Sequence, residues 1–236
     1  MASHIIALSG GKDSTALALA LQLYEPRDYI VIANPTGNEL PEMEQHFRDI
    51  EAQLGLPIQR VGCGLSFEQL IYRERMIPNH WARFCTRALK IEPTQEYLAQ
   101  FNNPVLYVGL RADEESRGGA DYGVECRFSF REWGWGLPEI RQFLREREIW
   151  IPKRTDCALC FFQRIDEWWS LWRFYPSYWK QGERIESELG KTFRTPGKDG
   201  WPTALRELRK SFQKGLTPRK APNRRKLTDM CPVCAM

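Results

Sequence analysis

The feature that most constrains this chain is the stretch from Ala7 to Leu19, ALSGGKDSTALAL. The apolar run His4 to Leu8 stops at Ser9, two glycines and a lysine, and a run of Ala and Leu begins four residues later. The first run has the length and branching of a buried strand, and the second has the composition of a helix. Gly10 and Gly11 free the backbone between them for positive φ and for close approach by a ligand. A strand that turns tightly into a helix leaves the first helical N–H groups facing the turn, which makes an anion site. Lys12 adds a full positive charge there, and Ser9, Ser14 and Thr15 add hydroxyls. The spacing GxxxxGK[ST] is absent, so this is not the usual NTPase loop.

The strand–helix alternation continues through the first half. DYIVIAN is a second β-branched run, PIQRVGC a third and PVLYVGLRADE a fourth. LPEMEQHFRDIEAQLG spaces Met43, Phe47, Ile50 and Leu54 along one helical face and stops at Gly55, and TQEYLAQF is helical too. This predicts an α/β fold, a parallel twisted sheet flanked by helices, with its core at 1–120. Beyond it the texture changes, since eight of the nine tryptophans lie from Trp133 onward. LPEIRQFLRERE predicts one helix, and RIDEWWSLWRFYPSYWKQGERIESELG one or two more. Their aromatic face is expected to pack as core, base stacking being the other use of such a face. Residues 121–236 are thus expected to form a helical, Trp-rich, cysteine-containing region.

A net charge of +4 excludes a polycation, yet from Arg206 to Lys226 nine Lys or Arg face one acid, Glu207. This basic tail, 206–226, is either a solvated surface or a contact for nucleic-acid phosphates. No apolar run approaches the roughly 18 residues a membrane span needs. The N-terminus runs into a strand without a charged start, a long apolar stretch or a small-residue cleavage site. Cytoplasmic residence and no membrane partner are expected.

Seven cysteines in a reducing compartment point to metal or redox chemistry rather than structural disulfides. Cys157 with Cys160, and Cys231 with Cys234, form two CxxC pairs. Thiolates at that spacing can grip one metal from a single turn, and the pattern suits zinc and iron–sulfur alike. A redox dithiol is the third use. Cys63 and Cys126 are expected to be buried or incidental. His4, His46 and His80 are too scattered for a ligand set, and His80, near Cys85, is expected to pack.

SGGKDS, Ser9 to Ser14, resembles the PP-loop of the ATP-pyrophosphatase superfamily, whose members split ATP between the α and β phosphates or hold adenylyl sulfate nucleotides in the same cradle. Three further segments narrow the resemblance. IANPTGNELPE, with Thr36, Gly37, Glu39 and Pro41, resembles the TGxExPE segment of phosphoadenosine phosphosulfate (PAPS) reductase relatives. RFCTRALKIEP, with Cys85 and Lys90, resembles their cysteine-then-lysine segment. VGLRADEESR, with Arg111, Glu114, Ser116 and Arg117, resembles a third. Over about residues 5–165 the chain looks like the PAPS reductase-like family, and within it also like the sulfur-transfer ATPase of DNA phosphorothioation systems. The resemblance implies ATP with magnesium, or an adenylyl sulfonucleotide, on Ser9, Gly10, Gly11, Lys12, Asp13, Ser14 and Thr15. Asn34, Thr36, Gly37, Gly109, Arg111, Glu114 and Arg117 would complete that site. Catalytic roles are implied for Lys12, Asp13, Lys90 and Arg111.

Relatives that carry a [4Fe–4S] cluster use a cysteine segment before the lysine and a CxxC well downstream, and Cys85 lies 72 residues before Cys157. Where that pattern has two adjacent cysteines this chain has Phe84–Cys85. The implied cluster would take Cys85, Cys157 and Cys160, with Cys231 or Cys234 fourth or one iron left open to carry sulfur. The alternative is structural zinc on Cys157, Cys160, Cys231 and Cys234. The implied function is ATP-dependent thiolation through an adenylated intermediate, with a sulfur donor protein or thiol as partner. Thiol-dependent sulfonucleotide reduction is one alternative, although the chain ends in DMCPVCAM where such reductases carry ECGxH. A non-catalytic nucleotide- or nucleic-acid-binding module with structural zinc is the other.

Overall fold

The computed structural model describes residues 2–114, 116, 118–197 and 199–219. The chain opens β1 (Ser3–Ala7), α1 (Lys12–Tyr24), β2 (Tyr29–Ala33), α2 (Pro41–Leu54), β3 (Ile58–Arg60) and α3 (Phe67–Glu74). A short helix α4 (Phe84–Thr86) passes through a π-helical turn, Arg87–Ile91, into α5 (Glu92–Leu98). Next come β4 (Pro104–Tyr107), β5 (Glu125–Arg127), α6 (Ser129–Glu132) and α7 (Leu137–Glu146). Helices α8 (Ile165–Phe174), α9 (Pro176–Leu189) and α10 (Leu205–Gln213) follow.

The strands form one parallel sheet in the order β3-β2-β1-β4-β5. Ile5 lies beside Ile30 on one flank and Leu106 on the other. Because side chains alternate along a strand, β1 feeds both faces of the sheet. Ile5 packs with Ile32, Val61, Leu98 and Leu106, while Ile6 packs with Val31, Tyr107 and the inward faces of α1, α2 and α7. In α2 the expected stripe of Met43, Phe47, Ile50 and Leu54 is buried, each side chain contributing about 1.5–3 kcal/mol. The helix ends where Gly55 takes a left-handed φ of 62°.

The α/β layer runs past the expected boundary at 120. β5 pairs with β4, and Phe130, Ile140, Phe143 and Leu144 join the core under α1. A three-residue edge strand carries too little periodicity to be read from sequence. The second core gathers α3, the Phe84–Leu89 segment, Ala158, Leu159 and helices α8 to α10. The aromatic face packs there as expected, with Trp168 and Trp179 buried edge to face at 6.3 Å. The first part of the basic stretch is α10, whose Leu205, Leu208 and Phe212 are buried and whose Arg209 pairs with Glu183 at 2.7 Å. Residues 220–226 lie outside the described residues.

Candidate active site

Strand order reverses between β1 and β4, so a crevice opens beyond their carboxyl ends, where open α/β sheets place ligands. The glycine turn follows β1 and the Gly109–Arg111 segment follows β4, which puts both expected segments on that crevice. Gly10 has φ +75°, and a Cβ there would meet Met43 Cε at 2.6 Å. At Gly109 an added Cβ would lie 3.1 Å from the Asp13 carbonyl carbon and the Ser14 nitrogen. The β4 end thus passes directly against the first turn of α1, and only glycine leaves room.

The helix behind the turn starts at Lys12 with Gly11 as N-cap and no capping side chain. Its first N–H groups are therefore left to the crevice, with the positive end of the helix dipole. The hydroxyls brace the turn: Ser9 and Ser14 lie 2.9 Å apart, and the Ser14 hydroxyl donates to the Gly11 carbonyl at 3.1 Å. His46, 1% exposed, places Nε2 2.9 Å from the Gly10 carbonyl. Burial pushes its pKa down, so the neutral ring donates from Nε2, and Nδ1 has no partner. The sequence excluded His46 from a ligand set and gave it no other role. Its link to Gly10 is invisible until α2 docks on the turn.

A cavity of about 500 Å³ fills the crevice. Ser9, Gly11, Lys12, Asp13, Ser14, Asn34, Thr36, Lys90 and Gly109 line it, so four segments far apart in sequence meet at one cavity. Lys12, Lys90, Arg141 and Lys153 face it against the carboxylates Asp13 and Glu39, a balance that favours a polyanion. Lys90 comes from the π-helical turn, a geometry that recurs at functional sites. Glu39 serves the second turn, accepting from the Thr36 N–H and hydroxyl at 2.6 Å each. Asn34 donates to the Val61 carbonyl at 3.0 Å and to Thr94 at 3.1 Å.

Other expected residues stand apart from the cavity wall. Thr15 is fully buried and its hydroxyl has no partner. Gly37 borders a second, open hollow with Arg60 and Ser66. The Arg111 guanidinium is engaged by three carboxylates, Asp13 at 3.0 Å, Asp113 at 2.7 Å and Glu114 at 3.3 Å. Its direct effect is to orient Asp13, whose Oδ2 it holds while Oδ1 has no partner. Arg117 lies outside the described residues.

The segment that sequence reasoning did not connect to the turn is Ile151–Cys157. Ile151, Pro152, Lys153, Thr155 and Cys157 all line the cavity, and Thr155 Oγ1 lies 3.5 Å from where a Gly11 Cβ would be. Asn38, 2% exposed, fixes this segment. Its carbonyl accepts the Ala158 N–H at 2.6 Å, and its side-chain oxygen accepts the Leu159 N–H at 3.0 Å. Arg154 reaches the Cys157 carbonyl at 2.7 Å.

Cys157 and Cys160 are direct neighbours, and the hydrogen bond from the Cys160 thiol lowers the Cys157 pKa while raising that of Cys160. Burial raises the Cys85 pKa, and the charge of Cys157 raises it further, which places Cys85 in the same neighbourhood. Among the described residues, no three His, Cys, Asp or Glu side chains converge closely enough to hold a metal ion. Cys231 and Cys234 lie outside the described residues. The described thiols by themselves therefore do not complete a [4Fe–4S] or zinc site. Cys63 is exposed and Cys126 half-buried, and neither lines the cavity.

A parallel sheet with a glycine turn at its switch point and a cationic crevice above it defines an α/β protein of the PP-loop nucleotide-binding class. The phosphoadenosine phosphosulfate reductase domain matches residues 3–131, more than half of the chain, and the chain belongs to that family. It is similar to the uncharacterized protein MJ0066 of Methanocaldococcus jannaschii, 24% identical over 213 residues, 84% of this chain and 44% of the relative. The chain thus spans less than half the length of that curated relative. Among solved structures, a PAPS reductase from Candida auris in a phosphate complex aligns over 64% of this chain and 75% of its own, at 13% identity and a TM-score of 0.49. An NH3-dependent NAD synthetase from Campylobacter jejuni with nitrate aligns over 92% and 88%, at 12% identity and a TM-score of 0.43. Among the described residues, no helix is long and apolar enough to cross a membrane.

Proposed function

We propose that the chain binds an adenine nucleotide, ATP with magnesium or an adenylyl sulfonucleotide, in this cavity and carries out sulfur transfer or reduction there. One observation carries the reading: Cys157 and the glycine turn line the same cavity, so a cysteine and the phosphate cradle share one site. The first turn of α1 and Lys12 take phosphate oxygens, and Lys90 stabilises charge that builds up near the thiol. Asp13, held by Arg111, has Oδ1 left for a magnesium ion, which would neutralise phosphate charge when ATP is bound.

Two reactions use such a site. With ATP, an acceptor oxygen attacks the α-phosphorus, pyrophosphate leaves, and a sulfur nucleophile from a donor protein or thiol then displaces AMP. With a sulfonucleotide, a thiolate attacks the sulfonyl sulfur and the nucleotide phosphate leaves. The family membership and the thiol on the cavity wall favour the second. Nucleic acid as a partner through 206–226 belongs to the first.

Purified chain is incubated in parallel with ATP and magnesium, and with adenylyl sulfonucleotides and a dithiol. Sulfite release from the sulfonucleotide supports reduction. Pyrophosphate release from ATP supports transfer instead. A chain that binds neither nucleotide overturns the reading.

A further inference from the structure

We propose that His46 is a positioning residue for the glycine turn: its bond to the Gly10 carbonyl holds the Gly10–Gly11 peptide so that the Gly11 N–H, and not a carbonyl oxygen, faces the cavity. The inference rests on the phosphate-binding role of the turn in the function proposed above, and names what keeps that turn correctly aimed.

A trans peptide carries its C=O and its N–H on opposite sides, so fixing one aims the other. The Gly10 carbonyl accepts from His46 Nε2 at 2.9 Å, on the side of α2. Gly10 is buried, whereas Gly11 lines the cavity. The Gly11 N–H therefore points away from α2. Its contact there is a long one, 3.4 Å to the Ser9 hydroxyl on the exposed side of the turn. A phosphate oxygen arriving at the cavity would meet a donor that is only weakly engaged.

The neighbouring peptides are tied by the turn itself. The Ser9 N–H donates to the Ser14 hydroxyl at 3.1 Å. The Gly11 carbonyl accepts the Thr15 N–H at 2.9 Å and the Ser14 hydroxyl at 3.1 Å. The Gly10–Gly11 peptide sits between two glycines. Rotating it by half a turn changes ψ of Gly10 and φ of Gly11, torsions that no Cβ restrains. Once rotated, it would turn a carbonyl oxygen toward the phosphate and repel it. The glycines that open the turn thus leave its polarity undecided, and the imidazole decides it.

The face of α2 behind the turn is shaped for this. Met43, His46 and Phe47 lie three and four residues apart on one helical face, and all three are buried. A Gly10 Cβ would meet Met43 Cε at 2.6 Å and Phe47 Cε1 at 3.3 Å, so that face covers the back of the turn. Trp150 packs edge to face on the imidazole, with ring centroids 6.1 Å apart. A carbonyl only accepts, so the ring proton is on Nε2, and the bare Nδ1 is buried without a partner. A side chain that only filled this space would be better as a hydrocarbon. The one hydrogen bond that His46 makes goes to Gly10.

The test titrates inorganic pyrophosphate, and ATP with magnesium, into full-length wild type, His46→Gln and His46→Phe by calorimetry. Glutamine carries an amide N–H donor to about the place of the imidazole Nε2, and phenylalanine fills the space without one. His46→Gln is expected to bind like wild type. His46→Phe, with an unchanged circular dichroism spectrum, is expected to bind about tenfold or more weakly, the loss of one charge-assisted contact. A packing role alone would reverse that order, because the apolar ring suits a buried site better than the amide. Wild-type affinity in a folded His46→Phe, or a His46→Gln no better than His46→Phe, overturns the inference and leaves nucleotide binding standing. No binding of either ligand by wild type overturns both. A second readout needs no variant. In isotope-labelled wild type, NMR is expected to show neutral His46 protonated on Nε2, and a Gly11 amide proton that moves downfield as pyrophosphate is added. A proton on Nδ1, or a Gly11 amide that stays in place while those of Lys12 and Ser14 move, overturns the inference.

Discussion

The side-chain oxygen of Asn38 accepts the backbone N–H of Leu159 at 3.0 Å, tying the turn after β2 to the middle of the CxxC loop. The same side chain donates to Gln181 of α9 at 3.0 Å. One buried amide thus joins the α/β layer, the thiol loop and the helical region. Removing it leaves a backbone N–H and the Gln181 carbonyl unpaired in the interior, which costs about 1–3 kcal/mol. Asn38→Ala is expected to lower the unfolding free energy by about that amount. It should also raise the rate at which Cys157 reacts with a thiol reagent, as the loop loosens. Unchanged stability and reactivity would show that Asn38 does not hold the loop.

Lys12 stands at the mouth of the α1 N-terminus and is about one third exposed, so it is not part of the core. Lys12→Ala should leave the melting temperature within error and remove one charge-assisted contact to phosphate. At about 1.5–3 kcal/mol, that loss weakens nucleotide binding by roughly 10- to 150-fold. Titration calorimetry against ATP and a sulfonucleotide reads it directly. Affinity equal to wild type would remove the glycine turn from the binding site.

Gly109→Ala places a methyl group 3.1 Å from the backbone at Asp13 and Ser14, where no side chain can move aside. Overpacking of this kind costs about 1–3 kcal/mol. Because the displaced atoms are the first turn of α1, nucleotide affinity should fall together with stability. A Gly62→Ala control, with nothing within 4 Å of the new methyl, should change neither.

Glu186 is 8% exposed and accepts from the N–H groups of Phe193 at 2.9 Å and Leu205 at 2.7 Å. Burial pushes its pKa up to about 7 despite those two donors. Between its ordinary value of 4.5 and about 7, the unfolded chain has released this proton while the folded chain still holds it. Folding stability from this group is therefore greatest below pH 4.5, falls as pH rises through that window, and is level above it. Urea titrations of wild type and Glu186→Gln from pH 4.5 to 7.5 should show the slope in the first and a flatter profile in the second. Parallel profiles would assign the slope to other groups.

Much of this molecule is legible from local pattern. The β-branched runs, the α2 stripe of Met43, Phe47, Ile50 and Leu54, and the glycines at 10, 11 and 109 each act within a few residues of their own position. Their signals are periodicity and backbone freedom, which a linear sequence carries in full. The parallel α/β class, the anion-binding turn and the packing role of the tryptophans follow from them. The three-residue β5 and the extension of the core past residue 120 left no such signal, because pairing with β4 defines them.

What tertiary structure alone decided is who stands opposite the turn. Asp13 and Arg111 were both expected at the nucleotide, yet the guanidinium faces three carboxylates and serves to hold Asp13. His46 braces Gly10 from a different helix, and Lys153, Thr155 and Cys157 close the cavity from a loop some 145 residues downstream of it. The physical reason is that these contacts are made by side chains and backbone groups far apart in sequence. They form only when the second core brings the CxxC loop down on Asn38. Sequence determined the cradle and the presence of the thiols, and the folded chain placed one against the other.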